Sequence, residues 1–99
     1  MPIKFSRRAN ADLEEIYHYG VPHFSVTQAD AYHNKFYTAF LLLEENPLLS
    51  HLRMEFTRPV RIHPWRSHSI VYVADSDGIF IVRILHGTSD MKQHLSSLK

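Results

Sequence analysis

Ninety-nine residues without a cysteine, 44% of them hydrophobic, suffice for one small domain with a single core, expected to span residues 1–99. Five Tyr, six Phe and one Trp supply core volume, which argues against disorder, and a secreted domain this small would usually carry disulfides, so the chain is expected in the reducing cytoplasm. A formal net charge of +1 hides an uneven distribution: Arg53, Arg58, Arg61 and Arg66, with His51, His63 and His68, face one acid, Glu55. Such a field favours an anionic partner (RNA, DNA or an acidic protein segment), although a solvated basic face explains it as well.

The N-terminus, Met1 to Arg8, has no apolar run behind its charges and is not a signal peptide. Ile3 and Phe5 alternate with polar neighbours and predict a short opening strand. Ser6 is placed to cap a helix from Arg7 to about Tyr19, with Ala9, Leu13, Ile16 and Tyr17 as one stripe. Gly20 is expected to end it and Pro22 to prevent resumption. Ser25 followed by Gln28 fits a capping box, and Ala29, Tyr32, Phe36, Ala39, Phe40 and Leu43 keep helical spacing up to Asn46-Pro47. Two amphipathic helices with so short a link predict an antiparallel hairpin. The longest apolar run, Ala39 to Leu43, is far short of a membrane span.

Beyond Pro47 the pattern becomes alternating. Leu52, Met54 and Phe56 allow an extra short strand. Val60 and Ile62 face one way and Arg61 and His63 the other, between Pro59 and Pro64, which suits an edge strand. His68 to Ala74 is a strand, Asp75 to Gly78 a turn, and Ile79 to Leu85 the hairpin partner. Straight alternation puts Ile79, Ile81, Arg83 and Leu85 on one face and Phe80, Val82, Ile84 and His86 on the other. Thr88 or Ser89 then opens a short C-terminal helix carrying Met91 and Leu95. The fold class is therefore α+β: an N-terminal strand, a two-helix antiparallel hairpin, and an antiparallel strand meander packed on that hairpin.

Eight histidines invite a zinc site, but His18/His23 and His63/His68 are each five apart, which gives no shared face on a helix or a strand. No metal and no cofactor is expected, and the three glycines make no phosphate loop. Ser67 and Ser69 beside His68 read as loop and strand polar residues. Arg61, Arg83 and His86 are sharper candidates: two guanidinium groups hold a phosphate while an imidazole moves a proton. A structural reading stands beside it, with Arg83 bonding the C-terminal segment and His86 satisfying a carbonyl. Trp65, next to Arg66, either stacks on a base or partner side chain or caps the core edge.

Taken together, Ala9, Asp12, Leu13, Ile16 and Tyr17, the long helix ending Glu45-Asn46-Pro47, Val60-Arg61-Ile62-His63-Pro64, Ser67-His68-x-Ile70-Val71-Tyr72 and Ile81-Val82-Arg83-Ile84-Leu85-His86-Gly87 with Asp90 resemble the ParE branch of the RelE/ParE superfamily of bacterial toxins. The resemblance spans nearly the whole chain. It implies adjacent first and last strands, and the toxin part of a type II toxin–antitoxin system that stabilises a plasmid or chromosome. It also implies a ParD-like antitoxin in a hetero-oligomer, whose disordered acidic–apolar tail folds on Leu13, Ile16, Tyr17, Tyr32, Phe36 and Phe40. The expected target is DNA gyrase, poisoned by binding without catalysis, with nucleic acid involved only indirectly and no membrane. Arg61, His63, Trp65, Arg66, Arg83 and His86 are the residues expected at the target surface. The alternative is a ribosome-dependent mRNA endoribonuclease of the RelE type with Arg61, Arg83 and His86 as catalytic residues. No tyrosine follows Tyr72, so the tyrosine base of that branch is missing.

Overall fold

The computed structural model describes residues 3–23, 25–55 and 58–86. Their elements are β1 (Ile3–Phe5), α1 (Arg7–His23), α2 (Val26–Glu45), β2 (Leu52–Arg53), β3 (Val60–Trp65), β4 (His68–Asp75) and β5 (Gly78–His86). The sheet runs in the order β1-β5-β4-β3-β2, with β1 parallel to β5 and every other pair antiparallel. The expected α+β arrangement of strand, helical hairpin and meander is what forms, and the first and last strands are neighbours.

Ser6 joins sheet to helix. Its amide donates to the Ile81 carbonyl at 2.9 Å and its hydroxyl to the Val82 carbonyl at 2.6 Å. The same hydroxyl accepts from the Ala9 amide at 2.9 Å, capping α1. Ser25 likewise accepts from the Gln28 amide at 3.0 Å to start α2. The stripes meet the sheet as their spacing requires: Ala9 and Leu13 from α1, Phe36, Ala39, Phe40 and Leu43 from α2, and Ile70, Tyr72, Ile79, Ile81 and Ile84 form the main core. Burying one phenylalanine such as Phe36 is worth about 1.5–3 kcal/mol. On the other face of the sheet Val60, Val71 and Leu85 form a second cluster.

Three expectations change. First, α1 does not stop at Gly20 but runs through Pro22 to His23. Because the helix ends one residue later, proline forfeits a single backbone bond there and its fixed φ remains helical. Second, β3 is not the sheet edge; β2 pairs with it through Leu52↔Arg61 and Arg53↔Val60. Third, straight alternation fails along β5. The register passes from Tyr72↔Ile81 to Val71↔Arg83, leaving Val82 unpaired as a bulge. Ile84 therefore joins Ile79 and Ile81 in the main core, while Leu85 goes to the second cluster. The expected C-terminal helix lies outside the described residues.

The two hairpin turns differ. At the Asp75–Gly78 turn the Asp77 amide donates to the Asp75 carboxylate at 2.8 Å, and Gly78 takes a φ of 129° that favours glycine. Between β3 and β4, Arg66 carries the one positive φ (55°) of a non-glycine among the described residues. A positive φ at only the first central position is the signature of a type II′ turn, where glycine is preferred.

Candidate functional site

Where the helical hairpin meets the sheet ends of β4 and β5, a groove of about 1010 Å³ opens. α1 contributes Asp12, Glu15, Ile16, Tyr17 and Tyr19; α2 contributes Ala29, Tyr32 and His33; the sheet contributes Ser67, His68 and the run Arg83 to His86. β1 pairs with β5 only as far as Ile81, so among the described residues the last part of β5 has no neighbouring strand on that side. The helices wall this open end.

Its sheet end is built from imidazoles and aromatics. His68 and His86 are opposed across the β4–β5 ladder, ring centroids 5.1 Å apart and edge to face. Tyr32 Oη lies 2.8 Å from His68 Nδ1 and 3.4 Å from Ser67 Oγ. Burial, with the neighbouring His86 charge adding to it, holds the pKa of His68 below the ordinary imidazole value. Trp65 packs on Phe36 at 4.3 Å and on Tyr32 at 5.6 Å, and the Arg66 guanidinium sits 5.2 Å above the Trp65 ring. On the helical side the Tyr17 hydroxyl donates to Asp30 at 2.6 Å, tying α1 to α2 and raising the phenol's pKa. His33 Nδ1 is a buried nitrogen without a hydrogen-bond partner among the described residues.

The groove wall is fixed by Asp12. Its carboxylate accepts from Arg83 Nε at 2.9 Å and Nη2 at 3.1 Å, and from the Ile84 amide at 2.9 Å. It thus neutralises the buried guanidinium and satisfies a backbone donor on the open edge of β5.

At the other end of the sheet a second network converges on Ser50. The Tyr72 hydroxyl donates to the Pro47 carbonyl at 2.9 Å and accepts from the Ser50 amide at 3.3 Å. Arg61 Nη1 donates to the Ser50 carbonyl at 2.7 Å, and Ser50 Oγ lies 3.2 Å from His63 Nδ1. Burial lowers the His63 pKa.

The residues expected to act together are therefore divided. Trp65, Arg66 and His86 stand at the groove end, whereas Arg61 and His63 hold the Ser50 loop. Arg83 lines the groove but is only 6% exposed and engaged by Asp12, which departs from its expected place on a target surface. Of the residues expected to hold an antitoxin, Ile16, Tyr17 and Tyr32 line the groove. Leu13, Phe36 and Phe40 do not present a surface: at 4%, 0% and 2% exposure they are core. Their helical spacing is the signal of burial, not of docking. Sequence reasoning missed the pairing of His68 with His86 and with Tyr32, along with the tie from Asp12 to Arg83. Asp12 was legible only as a member of the family pattern, with no role attached to it.

A helical hairpin on a mixed sheet, with this groove between them, is a fold with a solved counterpart. A chain of the solved "Chromosomal ParDE TA system from P. aeruginosa" shares it, with a TM-score of 0.76 and 22% identity over 88% of this chain and 96% of that one. The family model "ParE toxin of type II toxin-antitoxin system, parDE" matches residues 3–91, and the chain belongs to that family. Toxin ParE1 of Caulobacter vibrioides is 28% identical over 94 residues, covering 95% of this chain and 97% of the relative.

Proposed function

We propose that this chain is a cytoplasmic toxin that stops growth by binding DNA gyrase, without catalysis or cofactor, and that a ParD-like antitoxin neutralises it from the groove. The family match over residues 3–91 carries this reading. The groove geometry supports its second half: Ile16, Tyr17 and Tyr32 offer an apolar and aromatic trough to a folding antitoxin segment. Trp65, Arg66 and His86 are the target-facing residues. They adjoin that trough, so an antitoxin lying in it masks them.

The endoribonuclease alternative finds less support. Arg61 opposes Tyr72 and His86 opposes His68, four positions away along β4, about 13 Å at the usual strand rise. Arg83 is held by Asp12. The two arginines and His86 do not converge on one phosphate.

Inducing the chain alone and together with the antitoxin gene tests the proposal. Growth arrest relieved by the antitoxin is expected. Unimpaired growth of cells making the soluble chain contradicts it.

A further inference from the structure

The proposal that an antitoxin segment fills the groove leaves open what that segment places against the imidazoles at the sheet end. The groove walls are mostly apolar or phenolic, but this end brings two histidines face to edge at 5.1 Å from adjacent strands. Like groups this close oppose each other's protonation. The surroundings supply little counter-charge. From α1, Asp12 is spent on Arg83 and the Ile84 amide, which leaves Glu15 as the lining carboxylate without an ion-pair partner among the described residues. From α2 come the Tyr32 phenol and a third imidazole, His33. From β5 comes Arg83, already neutralised.

We infer that the His68–His86 pair is a carboxylate-receiving subsite, where an Asp or Glu side chain of the antitoxin segment docks as the pair takes up a proton. This rests on the groove being the antitoxin site. His68 is wired for both states. When neutral, it accepts the Tyr32 hydroxyl on Nδ1 and presents Nε2–H. When charged, it donates from Nδ1 to Tyr32, which turns to Ser67 Oγ at 3.4 Å, and Nε2–H remains a donor for the incoming carboxylate. The carboxylate thus meets an imidazolium without any buried donor losing its partner. Burial, with the His86 charge beside it, holds the empty His68 ring toward its neutral form. Docking an anion reverses that balance, so proton uptake accompanies binding. Affinity then rises as pH falls, until the carboxylate itself protonates at about pH 4.

The test uses full-length antitoxin co-purified with the toxin, its dissociation constant measured by titration calorimetry between about pH 8 and about pH 6. Wild-type toxin is expected to bind about tenfold tighter at the acid end, an average uptake of about half a proton across those two pH units. His86→Gln, at an exposed position, should flatten the dependence, as should His68→Gln, with the fold checked by circular dichroism. Ile16→Asp should weaken binding at every pH, because it charges the trough itself. If Ile16→Asp binds like wild type, the groove is not the antitoxin site and this inference falls with it. If Ile16→Asp fails to bind, yet wild-type affinity is flat or weakens toward acid, or the slope survives in the His68→Gln/His86→Gln protein, the subsite alone is overturned.

Discussion

Asp12 on α1 and Arg83 on β5 lie 71 positions apart and meet in a bidentate buried pair, which also takes the Ile84 amide. The contact closes the chain on itself and fixes the helical wall of the groove against its sheet floor. Removing one partner leaves the other charged and buried. Asp12→Ala or Arg83→Ala should therefore cost about 3–5 kcal/mol in urea unfolding. A paired Asp12→Leu/Arg83→Met protein should recover part of that loss, the Ile84 amide remaining unpaired. Toxicity lost in Arg83→Ala then reports an unstable fold, and only the paired variant tests Arg83 for a role in target binding.

His68 and His63 both have pKa values lowered by burial, His68 further by His86. The unfolded chain therefore takes up protons at a higher pH than the folded one. Stability is complete above the usual imidazole pKa of about 6.5 and declines as pH falls through it toward the folded values. Thermal melts of the toxin alone should show Tm falling between neutral pH and about pH 5, less steeply in His68→Gln. A Tm that rises on mild acidification contradicts the burial of these rings.

Tyr72 is fully buried, and its hydroxyl bridges the Pro47 carbonyl and the Ser50 amide. Tyr72→Phe keeps the ring and removes the bridge, leaving buried backbone groups unpaired. The expected loss is about 1–3 kcal/mol in chemical unfolding. Faster hydrogen exchange should follow at the Ser50 amide, and the groove end of the sheet should be unaffected.

Arg66 holds a positive φ that glycine would adopt without strain. Relief is worth about 1–2 kcal/mol, against about 0.5–1 kcal/mol for the exposed cation–π contact over Trp65. Arg66→Gly should therefore stabilise the protein slightly. If Arg66 faces the target, the same variant should also lose toxicity, a separation that growth assays and unfolding curves detect together.

The elements were legible because each followed a local rule: Ser6 and Ser25 capped helices, the stripes at 3.6 spacing found the core, and Asp75 to Gly78 made the turn. The site was less so, and one residue explains much of that. Carried straight from the turn, the β4–β5 ladder pairs His68 with Leu85. The bulge at Val82 slides it by one, so that His68 meets His86 and Ile84 turns into the main core. No local propensity marks Val82 as a bulge. It sits where β1 ends and Ser6 takes the Val82 carbonyl, a tertiary contact 76 positions distant in sequence. Leu13, Phe36 and Phe40 show the opposite error, since a helical stripe gives period without saying whether core or partner covers it.

The most direct measurement is a supercoiling assay with purified chain and DNA gyrase, scoring lost supercoiling and linear, gyrase-bound DNA. Accumulated cleaved complex, reduced by Trp65→Ala and suppressed by the antitoxin, is the expected result. Unaffected gyrase, together with discrete mRNA cuts after induction, would contradict a gyrase-binding toxin and return the chain to RNA cleavage.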